Sequence, residues 1–359
     1  MKTISESVVV ITGASSGIAR ATAYEVARQK GTVVLASRQE AALVEVAREC
    51  ERMGAHALAV KTDVTDEEQV RNLARKAIEN YGRIDAWVNA AAVTMLSRFE
   101  ESPPEAFRRV IETNFFGYVH GARAVLPHFR QQGYGVLVNI ASVVGKIGSP
   151  YASAYVASKF AITGFSESLR MELRDMPDIH VCTILPATID TPLFQHAANF
   201  TGRVVQAMPP VYKPEMVAEA VVGCLQKPRR EVPVGNTRRM ITMRRLAPPL
   251  AERIIASKVH KQHFRDEPAP ASRGNVFDPM PQFNSIHGGW ARNNAGGRRW
   301  IMAALAAGIG IGFFYWFGRR RPSYSGETIA QKLARQGLAT TMAGLGARVP
   351  SRAGRTPVI

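Results

Sequence analysis

The chain has 359 residues, a formal net charge of +17, three cysteines and eight histidines. That length can bury one large core with extensions, and Cys50, Cys182 and Cys224 are too few and too far apart for a disulfide framework, so a reducing compartment is expected. No His or Cys spacing suggests a metal site, and the charge is lopsided: residues 1–226 carry 23 basic and 23 acidic side chains, residues 227–359 carry 23 and 6. Nucleic-acid binding is not expected, because the basic residues bracket an apolar run and form no aromatic-basic reading surface.

The chain enters a β-branched run at residues 7–12 almost at once, so no signal peptide is expected. Further strands are predicted near 32–37, 55–62, 84–89, 134–141, 179–186 and 231–235, with helical patterns between them. This alternation predicts an α/β fold, a Rossmann-like doubly wound parallel sheet of about seven strands with helices on both faces. The first strand runs into Thr12-Gly13-Ala14-Ser15-Ser16-Gly17-Ile18-Ala19 and then a helix. Strand, small-residue turn and helix start make a phosphate cradle. Gly13 permits the tight turn, Gly17 a close backbone approach, Ser15 and Ser16 add hydroxyl donors, and the helix start supplies positive dipole. The spacing is Gly-x-x-x-Gly, so a ligand-free glycine turn is the competing reading. The second strand ends in Ser37-Arg38. An acidic residue there suits a ribose 2′-hydroxyl and an Arg suits a 2′-phosphate, which favours NADP(H) over NAD(H).

Tyr155 and Lys159 stand four residues apart in a segment that reads as helix, which puts both on one face. A phenol near pKa 10 exchanges protons poorly at neutral pH, and a nearby cation lowers that value. The pair can therefore serve as a general acid/base.

Together these segments resemble the short-chain dehydrogenase/reductase family over roughly residues 5–240. The 12–18 turn, including Ile18, looks like its cofactor loop. Asp63-Val64 resembles its adenine-contacting position, Val88-Asn89-Ala90-Ala91-Ala92 its Asn-Asn-Ala-Gly turn, and Pro186-Ala187-Thr188 its Pro-Gly turn toward the nicotinamide. Asn114, Ser142, Tyr155 and Lys159 match its catalytic tetrad in order and spacing. Ala19, Ala90, Ala92 and Ala187 depart from the pattern, but none is a proton- or hydride-transferring group. The resemblance implies hydride exchange between a nicotinamide and a carbonyl or alcohol. Tyr155 would move the proton, Lys159 would lower its pKa and hold the nicotinamide ribose, Ser142 would bind the substrate oxygen, and Asn114 would hold a water that links Lys159 to solvent. It also implies a homo-oligomer through the helices carrying Asn114 and Tyr155. A cofactor-binding scaffold without turnover is the reading from another class, and the intact tetrad speaks against it.

In the family, residues 191–213 overlie the active site. Leu193, Phe194, Phe200, Val204, Val205 and Met208 suggest an apolar wall and a hydrophobic substrate, with plain core residues as the competing reading. The catalytic domain is expected to span 1–260, with basic helices over 238–264 broken at Pro248-Pro249. Residues 261–297 read as a linker or an extended arm. Residues 300–317 contain no charge and would be about 27 Å long as a helix, close to the hydrocarbon thickness of a bilayer. Arginines flank the run, Trp300, Tyr315 and Trp316 sit at its ends, and Ala304, Gly308 and Gly312 make a small-residue face. Residues 298–321 are therefore expected to span a membrane, with the catalytic domain on the cytoplasmic side. A buried helix, or a hairpin docked on a partner of an otherwise cytoplasmic enzyme, is the alternative. The basic tail, 322–359, is expected to lack fixed structure and to meet anionic headgroups.

Overall fold

The computed structural model describes residues 3–291, which lie in one compact unit. The run at 300–317 and the tail after it lie outside the described residues. Among the described residues no helix is long and apolar enough to cross a membrane.

In chain order the first half comprises β1 (Val8–Thr12), α1 (Gly17–Arg28), β2 (Thr32–Ser37), α2 (Glu40–Arg52), β3 (Ala57–Lys61), α3 (Glu67–Tyr81), β4 (Ala86–Asn89) and the short β5 (Met95–Leu96). Next come α4 (Pro104–Ile111), α5 (Gly117–Gln132), β6 (Gly135–Ile140), α6 (Ser153–Glu172) and β7 (Ile179–Pro186). Then follow β8 (Ala198–Asn199), β9 (Arg203–Val205), α7 (Pro214–Gln226), β10 (Glu231–Val234), α8 (Thr237–Leu246), α9 (Pro248–Gln262) and β11 (Phe264–Pro268). All seven predicted strands form, each within about two residues of its expected limits.

They make one parallel sheet in the order β10-β7-β6-β4-β1-β2-β3. A parallel sheet covered on both faces needs strands that are apolar throughout, and β1 (Val-Val-Val-Ile-Thr) is buried at all five positions. Two apolar layers flank the sheet. One packs α1, α2 and α7 through residues such as Val26, Leu43 and Val221. The other packs α3 and α5 through Leu73, Val125 and Phe129. The chain winds outward from β1 to β3 and then crosses to β4 on the other side of β1. Strand order reverses there, and the carboxyl ends of β1 and β4 open a crevice, the place where such sheets bind ligands.

Two features were not legible in the sequence. The helical stretch from Pro104 to Gln132 carries a π-helical turn at Glu112–Phe116, which sets Asn114 at its centre. The helices α8 and α9 turn at Pro248 as expected. Beyond them β11 pairs antiparallel with β9, and the chain then folds back over the domain, so residues 264–291 are an arm laid across it.

Candidate active site

The crevice is a cavity of about 350 Å³. Its floor at one end is the turn after β1. Gly13 has φ +77°, and a Cβ there would lie 2.8 Å from the Ala91 backbone, so only glycine lets the two strand ends approach. Thr12 Oγ1 accepts from the Ala90 amide at 3.1 Å and ties the same two turns together. Ser15, Ser16, Gly17, Ile18, Arg38, Asp63, Val64 and Thr188 all line the cavity, as do Ser142, Tyr155 and Lys159.

Asn89 and Asn114 do not line it. Asn89 is fully buried: its amide donates to Asn139 Oδ1 at 2.9 Å, and its oxygen accepts from the Trp87 indole. It braces the sheet beneath the cleft. Asn114 clamps the next segment: its Oδ1 accepts from the Val93 amide at 2.8 Å, and its Nδ2 donates to Val93 O and to Ser158 Oγ. Since Val93 follows the Ala90–Ala92 turn and Ser158 precedes Lys159, Asn114 ties the turn after β4 to α6.

The reactive corner lies where β6 meets α6. Ser142 follows β6, caps a short turn by accepting from the Val144 amide, and hydrogen-bonds Tyr155. Lys159 is 1% exposed and has no carboxylate partner; its ammonium donates to Ile140 O at 2.9 Å and lies 5.3 Å and 5.4 Å from the Tyr118 and Tyr155 ring centres. Burial pushes Lys159 down to about 7. Burial likewise pushes the Tyr155 phenol up to about 12, against the pull of the Ser142 hydrogen bond. Desolvation is the larger of these two effects, and Lys159 is not among the causes of the shift. The phenol stays protonated at neutral pH.

At the opposite end Arg38 donates from Nη1 to Phe277 O at 2.7 Å and from Nη2 to Asn275 O at 2.6 Å. Burial lowers its pKa although Asp63 opposes the shift, and it remains a cation. Burial alone would raise the Asp63 carboxyl, but hydrogen bonds from Thr65 and the Arg109 guanidinium at 2.7 Å hold it below the usual range. Arg109 carries no motif and was missed in the sequence.

Of the expected apolar wall, Leu193, Phe194 and Met208 line the cavity. Phe200 instead packs beside Met95 and Val110, Val205 packs by Leu96, and Val204 lies off the lining. Met240, Met243, Ile254, Ile255 and Val259 from α8 and α9 complete the wall. His263 closes it, and burial pushes that imidazole down to about 4. His196, also on the lining and missed by sequence, is pushed to about 4 for the same reason.

The family model described as short chain dehydrogenase matches residues 7–201. The chain belongs to the short-chain dehydrogenase/reductase family. It is 35% identical over 321 residues to the uncharacterized oxidoreductase YxnA of Bacillus subtilis (strain 168), covering 86% of this chain and 90% of that one. Among solved structures it resembles a short-chain dehydrogenase/reductase from Burkholderia phymatum in complex with NAD. That likeness has TM-score 0.64 and 25% identity over 76% of this chain and 100% of that one. The alcohol dehydrogenase of the archaeon Thermococcus sibiricus complexed with 5-hydroxy-NADP matches with TM-score 0.56 and 29% identity, over 64% and 94%. This short-chain dehydrogenase/reductase is thus an NAD(P)-dependent oxidoreductase acting on CH–OH and C=O groups. The residues present fit a dinucleotide: the Gly13 turn, the start of α1, the Arg38 cation and the buried Lys159 amine all border one cavity.

Proposed function

We propose that this short-chain dehydrogenase/reductase is an NADP(H)-dependent carbonyl reductase or alcohol dehydrogenase of hydrophobic substrates, with Tyr155 as its general acid/base. The observation that carries the reading is the Ser142–Tyr155–Lys159 corner at the meeting of the polar and apolar halves of one cavity. When bound, the nicotinamide supplies or receives the hydride. Ser142 Oγ holds the substrate oxygen beside Tyr155 Oη. In reduction the carbonyl π pair moves onto that oxygen as the carbon takes the hydride, and Tyr155 gives it the phenolic proton. In oxidation the phenolate takes the hydroxyl proton back. Lys159, one turn along α6, steadies the phenolate form by charge. Asn114 acts by position, holding Val93 and Ser158.

Arg38 supports NADP(H), since a guanidinium suits a 2′-phosphate. The methionine- and isoleucine-rich wall from α8 and α9 supports an apolar substrate: burying one such side chain against a ligand is worth about 1.5–3 kcal/mol. Residues 264–291 serve as an arm, and the uncharged 300–317 run supports a membrane tether that keeps the catalytic domain on the cytoplasmic side, where lipid-dissolved substrates could reach it. Phe116 and Phe160, exposed at the π turn and on α6, support a homo-oligomer through that face.

The test is nucleotide oxidation by the full chain against ketones, aldehydes, quinones and steroids, with NADPH and NADH compared. Turnover of apolar members with NADPH preferred is the expected result. Binding of nucleotide without turnover of any member would return the weight to a scaffold role. Fractionation of the full chain beside a truncation before Arg298 tests the tether; equal solubility without detergent contradicts it.

A further inference from the structure

The arm after β11 runs across the phosphate-cradle half of the cleft and is fastened on both sides. On one side Ser272 and Asn199 exchange backbone hydrogen bonds at 2.9 and 2.8 Å, and the Asn275 amide donates to His196 O at 2.8 Å. Gly274 lies so close that a Cβ would stand 2.2 Å from His196 O, and its φ of +50° suits only glycine well. Val276 is fully buried, and Phe277 packs on the cluster of Ala106, Val110 and Ala154. On the other side Ser285 O accepts from the Gly17 amide at 3.0 Å, at the first residue of α1, and Asn284 O accepts from Arg20 at 2.6 Å. The Trp290 indole donates to Thr191 O at 3.0 Å. Between these fastenings the carbonyls of Asn275 and Phe277 hold both terminal nitrogens of Arg38.

The arm roofs the cleft and does not fill it, because the 350 Å³ cavity persists with Asn275 and Pro279 on its lining. Two side chains on the cavity lining here carry a buried polar atom without a partner. His196 Nε2 is one, in a side chain only 6% exposed, and Asn275 Oδ1 is the other. The His196 ring packs on Phe283 at 5.8 Å between ring centres and burial keeps it neutral, so it carries one donor and one acceptor nitrogen. A buried acceptor without a donor costs stability, so a site that keeps two of them on one cavity is built for a ligand that donates.

We propose that residues 272–291 are a strap that closes over the bound dinucleotide, with His196 Nε2 and Asn275 Oδ1 accepting from O–H or N–H groups of its adenosine. Arg38 ties strap closure to the residue that faces the phosphate. The proposal rests on the nicotinamide-dinucleotide reading of the cleft. The strap must open for nucleotide to leave, so it sets the dissociation rate.

The experiment is stopped-flow release of NADPH, and separately NADH, from the full-length protein and from Asn275→Ala and Val276→Asp. Asn275→Ala removes one acceptor and is expected to speed release about 5-fold, the effect of one hydrogen bond. Val276→Asp puts a charge into the strap's buried anchor and is expected to speed release at least as much. Unchanged rates in both variants overturn the strap. Slower release or tighter binding also overturns it, since the segment would then be a blocker. In the wild-type protein, amide exchange over 272–291 should slow when NADPH binds. Unchanged or faster exchange contradicts the proposal even if a variant fails to fold. A wild-type protein that binds neither nucleotide overturns the dinucleotide reading itself, a separate outcome from wild-type binding with indifferent variants.

Discussion

The two walls of the cleft are built in different ways. One wall, from Thr12 to Thr188, consists of strand ends, the first residues that follow them and the first turns of α6, so each group sits on or beside the element that aims it. The other, from Thr191 to Trp290, is assembled from a loop, two helices and an arm that meet the first wall only through long-range packing. In the first wall chemistry and local structure are written in the same few residues, and a β-branched run followed by small residues announces both. In the second, His196 reaches the cavity because Gly274 of a segment nearly 80 residues away packs on its backbone. No spacing rule encodes such a meeting.

This contrast predicts a gradient of effects. Removing the ammonium with Lys159→Ala acts in the first wall and should lower turnover by about 100- to 10,000-fold, the range for losing a general acid/base partner. Steady-state rates at saturating cofactor check it, and a loss under 10-fold would mean that Ile140 O and the two aromatic rings are all that Lys159 serves.

Arg38 belongs to both walls. Arg38→Gln should lower the NADPH-to-NADH ratio of kcat/KM by about 10- to 100-fold, the worth of charge-assisted hydrogen bonds to a phosphate. An unchanged ratio would leave Arg38 as a fastening for the strap alone.

Protonation should loosen the second wall selectively. His196 and His263 are held neutral down to about pH 4 by burial, whereas the unfolded chain protonates them near 6.5. Between those values the unfolded state binds more protons, so stability falls as pH falls from 6.5 toward 4. At pH 5 the loss is on the order of 2 kcal/mol for each imidazole. Thermal melts at pH 7 and pH 5 check the sign, and the drop should shrink in His263→Gln. A melting temperature indifferent to pH in this window would contradict the buried neutral assignment.

The sheet was legible almost completely, because parallel strands buried on both faces must be continuous apolar runs. So were the strand-to-helix turn after β1 and the break between α8 and α9 at Pro248, and Ser142, Tyr155 and Lys159 line the same cleft. Three things were not. The π turn around Asn114 follows from packing and has no composition of its own, and that packing directs its amide to Val93 and Ser158. Asn89 reads as a turn residue, but burial turned its side chain inward to Asn139. The arm at 264–291, rich in Pro, Gly and Asn, lacks the periodicity of a helix or strand; its order comes from backbone carbonyls that meet Arg38, Arg20 and the start of α1.

The central claim is that Tyr155 is the proton donor at a cofactor-competent site, and Tyr155→Phe in the full chain tests it most directly by NADPH titration and turnover on one sample. The account predicts NADPH affinity within about 3-fold of wild type, since only a hydroxyl is lost, and turnover reduced at least about 1,000-fold. Near wild-type turnover in that variant would remove Tyr155 from the chemistry.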